Sequence, residues 1–322
     1  MYTYDKMVGS MLVRELTVDI GLGGEEITII HLSDLHLHDC TEDDLKNPTL
    51  ASTFENRVEW KEAPSIVKKI LDYADTRNPD QIVIAGDAID YLSQGSINLM
   101  KELVWDRYRD CDGNVTKVMA AIGNHETSQQ MTGNVPEIYS LEQRLSMLQD
   151  AWEHDIYYSS KVIKEKVMLI QMHNCQDVNN QKFFWDGQTE KLKNDLSIAR
   201  RNGYAVFLIC HAPLNTNDPK YASTIPLTKK MREPFPMRGG IANFFDGRYG
   251  PKPCSQGVDG EIYNIVTNNA DIIASLLVGH IHGEYYTEIK AKTADGTEKS
   301  IPQYILCGTT HDSGHLGVIT IK

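Results

Sequence analysis

Short apolar runs, each closed by glycine or a polar cluster, recur along the chain, and between them apolar residues return at every third or fourth position. The first pattern predicts buried strands and the second amphipathic helices. Strands are expected at "QIVIAGD", "KVMAAIGNHE", "VMLIQMHN", "YAVFLICHAP", "DIIASLLVGHIH", "IPQYILCG" and "LGVITIK". A helix is expected in "EWKEAPSIVKKILDYADTRNPD", where Ile66, Val67, Ile70, Leu71, Tyr73 and Ala74 fall at helical spacing and Pro79 lies beyond the end. Others are expected around "INLMKELVWDRYRD", "VPEIYSLEQRLSMLQDAWE" and "TEKLKNDLSIARR". Near the start, "MLVRELTVDIGLGGEEITIIHLSD" predicts a β-hairpin, two β-rich runs joined by a glycine-rich turn.

Strand and helix alternate for most of the length, so the expected class is α/β with a mixed sheet. No repeat, low-complexity tract or linker divides the 322 residues, which fit one large domain, residues 1–322. The rhythm breaks between about 213 and 260, where Pro, Gly, Asn and Lys accumulate in a long loop insertion. Loops of that length usually carry function.

Composition narrows the class further. With 41% hydrophobic and 24% charged residues the chain reads as a soluble globular protein. The six cysteines are scattered and form no C-x-x-C pair, which argues against a zinc finger or a disulfide framework and for a reducing compartment. No secretory h-region and no apolar run of roughly 18 residues is present, so a cytoplasmic location without membrane attachment is expected. Lys and Arg number 32 against 44 Asp and Glu, a net charge of −12 that opposes broad nucleic-acid binding. Nothing in the pattern sets an oligomeric state.

Chemistry gathers where the strands end. Asp34 and His36 follow one apolar run, Asp87 and Asp90 a second, and Asn124, His125 and Glu126 a third. His211 follows a fourth, and His280 and His282 a fifth. The C-terminal ends of strands in an α/β sheet open on a common crevice, so five elements bring donors toward one place. Carboxylate, carboxamide and imidazole donors without thiolate suit borderline divalent metals such as Mn, Fe or Zn. The seven donors Asp34, His36, Asp87, Asn124, His211, His280 and His282 exceed the needs of one ion and divide between two, with Asp87 bridging. Two ions roughly 3.5–4 Å apart form a clamp for displacement at phosphorus.

The ordered set D-x-H, G-D-x-x-D, G-N-H-E, H and G-H-x-H resembles the calcineurin-like metallophosphoesterase superfamily. Here it reads Asp34-Leu35-His36, Gly86-Asp87-Ala88-Ile89-Asp90, Gly123-Asn124-His125-Glu126, His211 and Gly279-His280-Ile281-His282. The resemblance implies a sandwich of two mixed sheets flanked by helices, in four α-β-β-α layers. It implies that Asp34, His36 and His282 hold one metal and Asn124, His211 and His280 the other. It also implies that a metal-bridging hydroxide attacks phosphorus, that His125 protonates the leaving oxygen, and that Asp90 orients the His125 ring. After Asp90 comes "YLSQ" rather than the Arg-Gly of the related Ser/Thr protein phosphatases, and Asp90 stands where purple acid phosphatases place a tyrosine. Both branches are therefore disfavoured.

The expectation is a two-metal phosphoesterase acting on small phosphate esters, nucleotides among them, with a modest preference for diesters. The alternatives are a phosphomonoesterase on metabolites or phosphoproteins, a non-catalytic metal-binding scaffold, and a DNA nuclease. The retained His125 argues against the scaffold and the net charge against the nuclease. For several residues two readings stay open. Asp90 fits a helix cap as well as the dyad, and Glu126 fits a cap as well as the site. His173 is either packed or a substrate contact, and His38 with Asp39 is either the site rim or a solvated turn. Arg238, in the basic stretch with Lys229, Lys230 and Arg232, either grips substrate or belongs to a solvated lid. His31 and Cys210 are expected to pack, and His311 and His315 to be loop residues.

Overall fold

The computed structural model describes residues 2–127, 138–175, 184–214, 258–293 and 296–322. Two six-stranded sheets lie face to face. The first joins β1 (Tyr2–Val8), β2 (Met11–Val18), β3 (Ile27–Leu32), β4 (Gln81–Ala85), β5 (Val118–Ala121) and β12 (His315–Ile321), in the order β1-β2-β12-β3-β4-β5. The second joins β6 (Tyr158–Ile163), β7 (Val167–Met172), β8 (Ala205–Ile209), β9 (Ile273–Val278), β10 (Tyr285–Lys292) and β11 (Glu298–Ile305), in the order β10-β11-β9-β8-β7-β6. The described α-helices are α1 (Pro48–Asn56), α2 (Ala63–Thr76), α3 (Gln94–Met100), the single turn α4 (Asn124–Thr127), α5 (Leu141–Ala151), α6 (Gln188–Asn202) and α7 (Val258–Asn268).

The central strands β3, β4, β5, β7, β8 and β9 are apolar at most positions because each is covered on both faces. In β3, Ile27 and Ile29 point between the sheets, where they meet Phe207 and Ile209 of β8 and Leu277 of β9. Ile30 and Leu32 point the other way, onto Val67, Ile70, Leu71 and Ala74 of α2. The second sheet repeats the arrangement, with Leu169 turned inward and Met168 and Ile170 turned toward Leu192 and Leu196 of α6 and Ile262 and Val266 of α7. Three apolar layers thus separate four structural ones, the expected α-β-β-α stack. Pro64 in the first turn of α2 and the left-handed Gly203 closing α6 set helix ends as their residue types dictate.

The expected hairpin does not form. β2 and β3 are separated by β12, which runs parallel to β2 and antiparallel to β3. The glycine-rich segment between β2 and β3 therefore spans a strand instead of turning tightly. The hairpin partner of β2 is β1, through Gly9 at φ +60°. Strands β6 and β10 and helix α1 were not legible as periodic runs. Most of the 213–260 loop, Arg238 and its basic neighbours included, lies outside the described residues. Among the described residues no helix is long and apolar enough to cross a membrane.

Candidate metal centre

Strands β3, β4 and β5 are mutually parallel in one sheet, and β7, β8, β9 and β11 are parallel in the other. Their C-terminal ends deliver all seven predicted donors to one buried place. Ligand-type atoms of Asp34, His36, Asp87 and His282 lie within 4.8 Å of one another, as do those of Asp87, His211 and His280. Asp87 belongs to both groups. Asn124 adds its Oδ1 at 3.1 Å from His211 Nε2.

Local backbone explains how short loops aim these side chains inward. Asp34, His36, Asp87, His280 and His282 all have positive φ, between 45° and 72°. That conformation costs energy in residues with a Cβ and clusters at functional sites. The loops brace one another: Asp34 N–H donates to Gly86 O at 2.9 Å, His36 N–H to Asp87 O at 3.0 Å, and Gly279 N–H to His211 O at 3.0 Å. The motif glycines are steric requirements. A Cβ on Gly86 would fall 2.5 Å from the His211 ring, and one on Gly123 would fall 2.2 Å from Asp87 Oδ1.

The outer ring nitrogens are satisfied in a way that frees the inner ones. His211 Nδ1–H donates to Ala85 O at 2.7 Å, which leaves the Nε2 lone pair facing Asp87 Oδ2 at 3.0 Å and His280 Nδ1 at 3.2 Å. His36 Nδ1 lies 3.0 Å from Asp90 Oδ1, and its Nε2 meets His282 Nε2 at 3.0 Å. Lone pairs and carboxylate oxygens crowded at such distances repel unless a proton or a cation stands among them. Outer-nitrogen anchoring of this kind is the usual support for imidazole ligands, so the donor set fits divalent ions. Backbone N–H groups meet the carboxylates too: His280 N–H reaches Asp34 Oδ2 at 3.0 Å and His125 N–H reaches Asp87 Oδ1 at 2.8 Å. Burial pulls His280 down to about 3 and His36 down to about 4. At His125 and His211 burial is again the largest influence and opposes charge, but Asp87 together with Asp90 at His125, and with Asp34 and the Ala85 carbonyl at His211, outweighs it and raises both to about 9.

The profile of the calcineurin-like phosphoesterase family matches residues 27–284, four-fifths of the chain. The chain belongs to the calcineurin-like phosphoesterases. It is accordingly a metal-dependent phosphoric ester hydrolase with a site for divalent ions built from His and Asp. Solved structures similar to this phosphoesterase include a dimetal phosphatase from Danio rerio, at 12% identity and TM-score 0.43, covering 88% of this chain and 87% of that one. A purple acid phosphatase from yellow lupin (Lupinus luteus) seeds is similar at 12% identity and TM-score 0.39, covering 92% of this chain but only 44% of that one. A comparison of the sequence with curated proteins finds no match.

Around the phosphoesterase donors the structure resolves several open readings. Asp90 caps no helix; Ser93 caps α3. Asp90 is fully buried, its Oδ1 3.2 Å from His125 Nδ1 and 3.0 Å from His36 Nδ1, and its backbone carbonyl lies 2.7 Å from His125 Nδ1. Glu126 takes the capping reading and also braces a motif loop, and it belongs to none of the donor groups. Its Oε2 accepts from Gly123 N–H at 2.6 Å, as the third residue of a helix does in a capping box, and its Oε1 accepts from Ile89 N–H at 3.0 Å, tying two motif loops together. Burial, then the charge of Asp87, push its carboxyl up to about 7. His38 is buried against Phe54 and Tyr91 instead of solvated. His173 is fully buried, its ring tilted against Tyr157, and it joins none of the donor groups. His31 and Cys210 pack as expected.

Four residues escaped the sequence reading. Arg57, just past α1, grips both oxygens of Asp90, with Nε 2.6 Å from Oδ2 and Nη2 on Oδ1. Trp60 stacks on the His36 ring at 4.3 Å and 13°. Asn174 accepts from the backbone N–H groups of His211 and Ala212 and returns a hydrogen bond to Ala212 O. His311, expected to be a loop residue, sits 2.7 Å from His282 through its Nε2. His311 and Asn174 carried a usable signal: they follow β11 and β7, which are parallel to the motif-bearing β9 and β8 and end at the same crevice.

Proposed function

We propose that this phosphoesterase, as one domain spanning residues 1–322, hydrolyses small phosphodiesters, with phosphomonoesters as the poorer substrates. Asp34, His36 and His282 would hold one divalent ion and Asn124, His211 and His280 the other, with Asp87 serving both. Mn, Fe or Zn suits such oxygen and imidazole donors. The ions supply Lewis acidity at the phosphoryl oxygens and a water acidified enough to attack at neutral pH. The chain's own residues do the rest. Ala85 O and Asp90 fix which nitrogen of His211 and His36 faces inward. His125 gives a proton to the departing oxygen.

The placement of His125 carries the diester preference. Its backbone N–H is tied to Asp87 and its Nδ1 to Asp90, so the proton available for transfer is the one on Nε2. A diester expels an alkoxide that leaves badly unless protonated, and a positioned acid contributes about 10²–10⁴-fold there. The test compares kcat/KM of the Mn-loaded protein on phosphodiester and phosphomonoester substrates matched in the same alkoxide leaving group. A diester preference that collapses in His125→Ala supports the proposal. A monoester preference, unchanged in kind by that substitution, overturns it and makes the phosphatase alternative the reading to pursue.

A further inference from the structure

We infer that His311 is a positioning residue for His282, an imidazole that fixes the tautomer and angle of a proposed metal-binding imidazole. The inference rests on the proposed role of His282. The ring of His282 has two nitrogens. Its Nε2 faces the cluster, 3.1 Å from Asp34 Oδ1 and 3.0 Å from His36 Nε2. Its Nδ1 faces His311 Nε2 at 2.7 Å. For the Nε2 lone pair to be offered inward, the ring proton must sit on Nδ1, and that N–H then donates to His311. Such outer acceptors are usually carboxylates or carbonyls; here the acceptor is a neutral ring, with no charge added to the site. Its own pose is over-determined. His311 N–H donates to Gly308 O and its carbonyl accepts from Gly314 N–H, both at 2.9 Å. The ring lies edge-on to Trp60 at 5.2 Å between centroids. Gly308 makes the space, because a Cβ there would fall 2.5 Å from His311 Cδ2. Trp60 also stacks on His36, so one indole sets the place of both the His36 ring and the support of His282.

The experiment is a two-site Mn²⁺ titration of the metal-stripped full chain by calorimetry, with thermal melts to confirm folding. His311→Ala should weaken one site about 10- to 100-fold and leave the other unchanged, the range found when outer-shell partners of ligands are removed. His311→Gln, whose carbonyl oxygen can accept from the same N–H, should recover most of the loss; a role confined to packing would not respond to that rescue. His282→Ala separates the two levels of the argument. If it weakens one site while His311→Ala leaves both intact, the positioning role is wrong and the ligand role stands. If it leaves both sites intact, the ligand role of His282 is wrong.

Discussion

Gly279 offers a sharp test of how the site is assembled, because a single methyl group is aimed at its foundation. A Cβ built on Gly279 would fall 1.6 Å from Ser33 Oγ, 2.5 Å from Asp34 Oδ2 and 2.7 Å from Ser33 Cβ. Contacts under 3.0 Å essentially do not occur at real Cβ atoms, so the hydroxyl or the β9 end must give by at least 1.4 Å. Neither can move alone. Ser33 Oγ bonds Asp34 Oδ2 and the Ala85 carbonyl, Ser33 N–H bonds Thr309 Oγ1, and Gly279 N–H bonds His211 O. Forced overpacking typically costs about 1–3 kcal/mol, and a 1 Å misplacement of catalytic groups costs about 10²-fold in rate. Gly279→Ala should therefore lose about 2 kcal/mol in urea unfolding and about a hundredfold in kcat/KM. Ser33→Gly removes both Ser33 atoms from the Cβ's path, so the double variant should regain at least about 1 kcal/mol relative to additivity. The steric account fails if Gly279→Ala matches the parent in both measurements, or if the double-variant cycle shows no coupling.

Three further outcomes are expected. His125→Ala should keep its bound metal, measured by plasma mass spectrometry, and lose about 10²–10⁴-fold in diester turnover; loss of metal on that change would count against its role. Arg57→Ala removes a two-pronged grip on a fully buried carboxylate and should destabilise unfolding by about 2 kcal/mol, less than an orphaned charge would cost because His36 and His125 still face Asp90. An unchanged urea midpoint would show that Asp90 is held by the histidines alone. Chelation should abolish hydrolysis and lower the melting temperature, since ligand at about a hundred times its Kd adds about 2.7 kcal/mol to the folded state; activity that survives exhaustive chelation would overturn the metal dependence.

The sequence was most informative where one structural constraint acts on many neighbouring residues at once. Buried strands such as Gln81–Ala85 and Val118–Ala121 announce themselves because both faces are covered, and the polar residues that follow them stand out against that background. Pairing was less legible. The Met11–Val18 and Ile27–Leu32 strands are adjacent in sequence and look like a hairpin, yet the last strand of the chain intervenes, a long-range event that no local pattern encodes. Supporting residues were hidden for a related reason. Arg57 is a charged residue after a short helix, and Trp60 a lone aromatic beside a polar run; only the approach of that segment to Asp90 and His36 gives them roles. His311 was read by its glycine-rich surroundings, which describe the turn it sits in but not the strand that delivers it.

The strain at the donors explains why the motifs come as a set. Five donor residues adopt a left-handed backbone that their Cβ atoms disfavour, in loops that would relax if isolated. Four of them, Asp34, His36, Asp87 and His280, are held through backbone groups by a neighbour from another motif. Asp34 is tied to Gly86, His36 to Asp87, His280 N–H to the Asp34 carboxylate, and His125 N–H to the Asp87 carboxylate. A carboxylate in this site therefore has two jobs, divided between its oxygens: Asp34 Oδ1 and Asp87 Oδ2 face the imidazoles of His282 and His211, while Asp34 Oδ2 and Asp87 Oδ1 accept the backbone hydrogen bonds that hold the next loop. Replacing Asp34 or Asp87 with Ala should then disturb more than a donor count. Asparagine keeps one oxygen acceptor, whereas alanine keeps none, so the two substitutions divide the jobs: metal affinity should fall in both, while metal-free stability should fall mainly in the alanine variant. Equal metal-free stability in the two would mean that the loops hold their shape without these carboxylates, and that the strain is supported by the surrounding core instead.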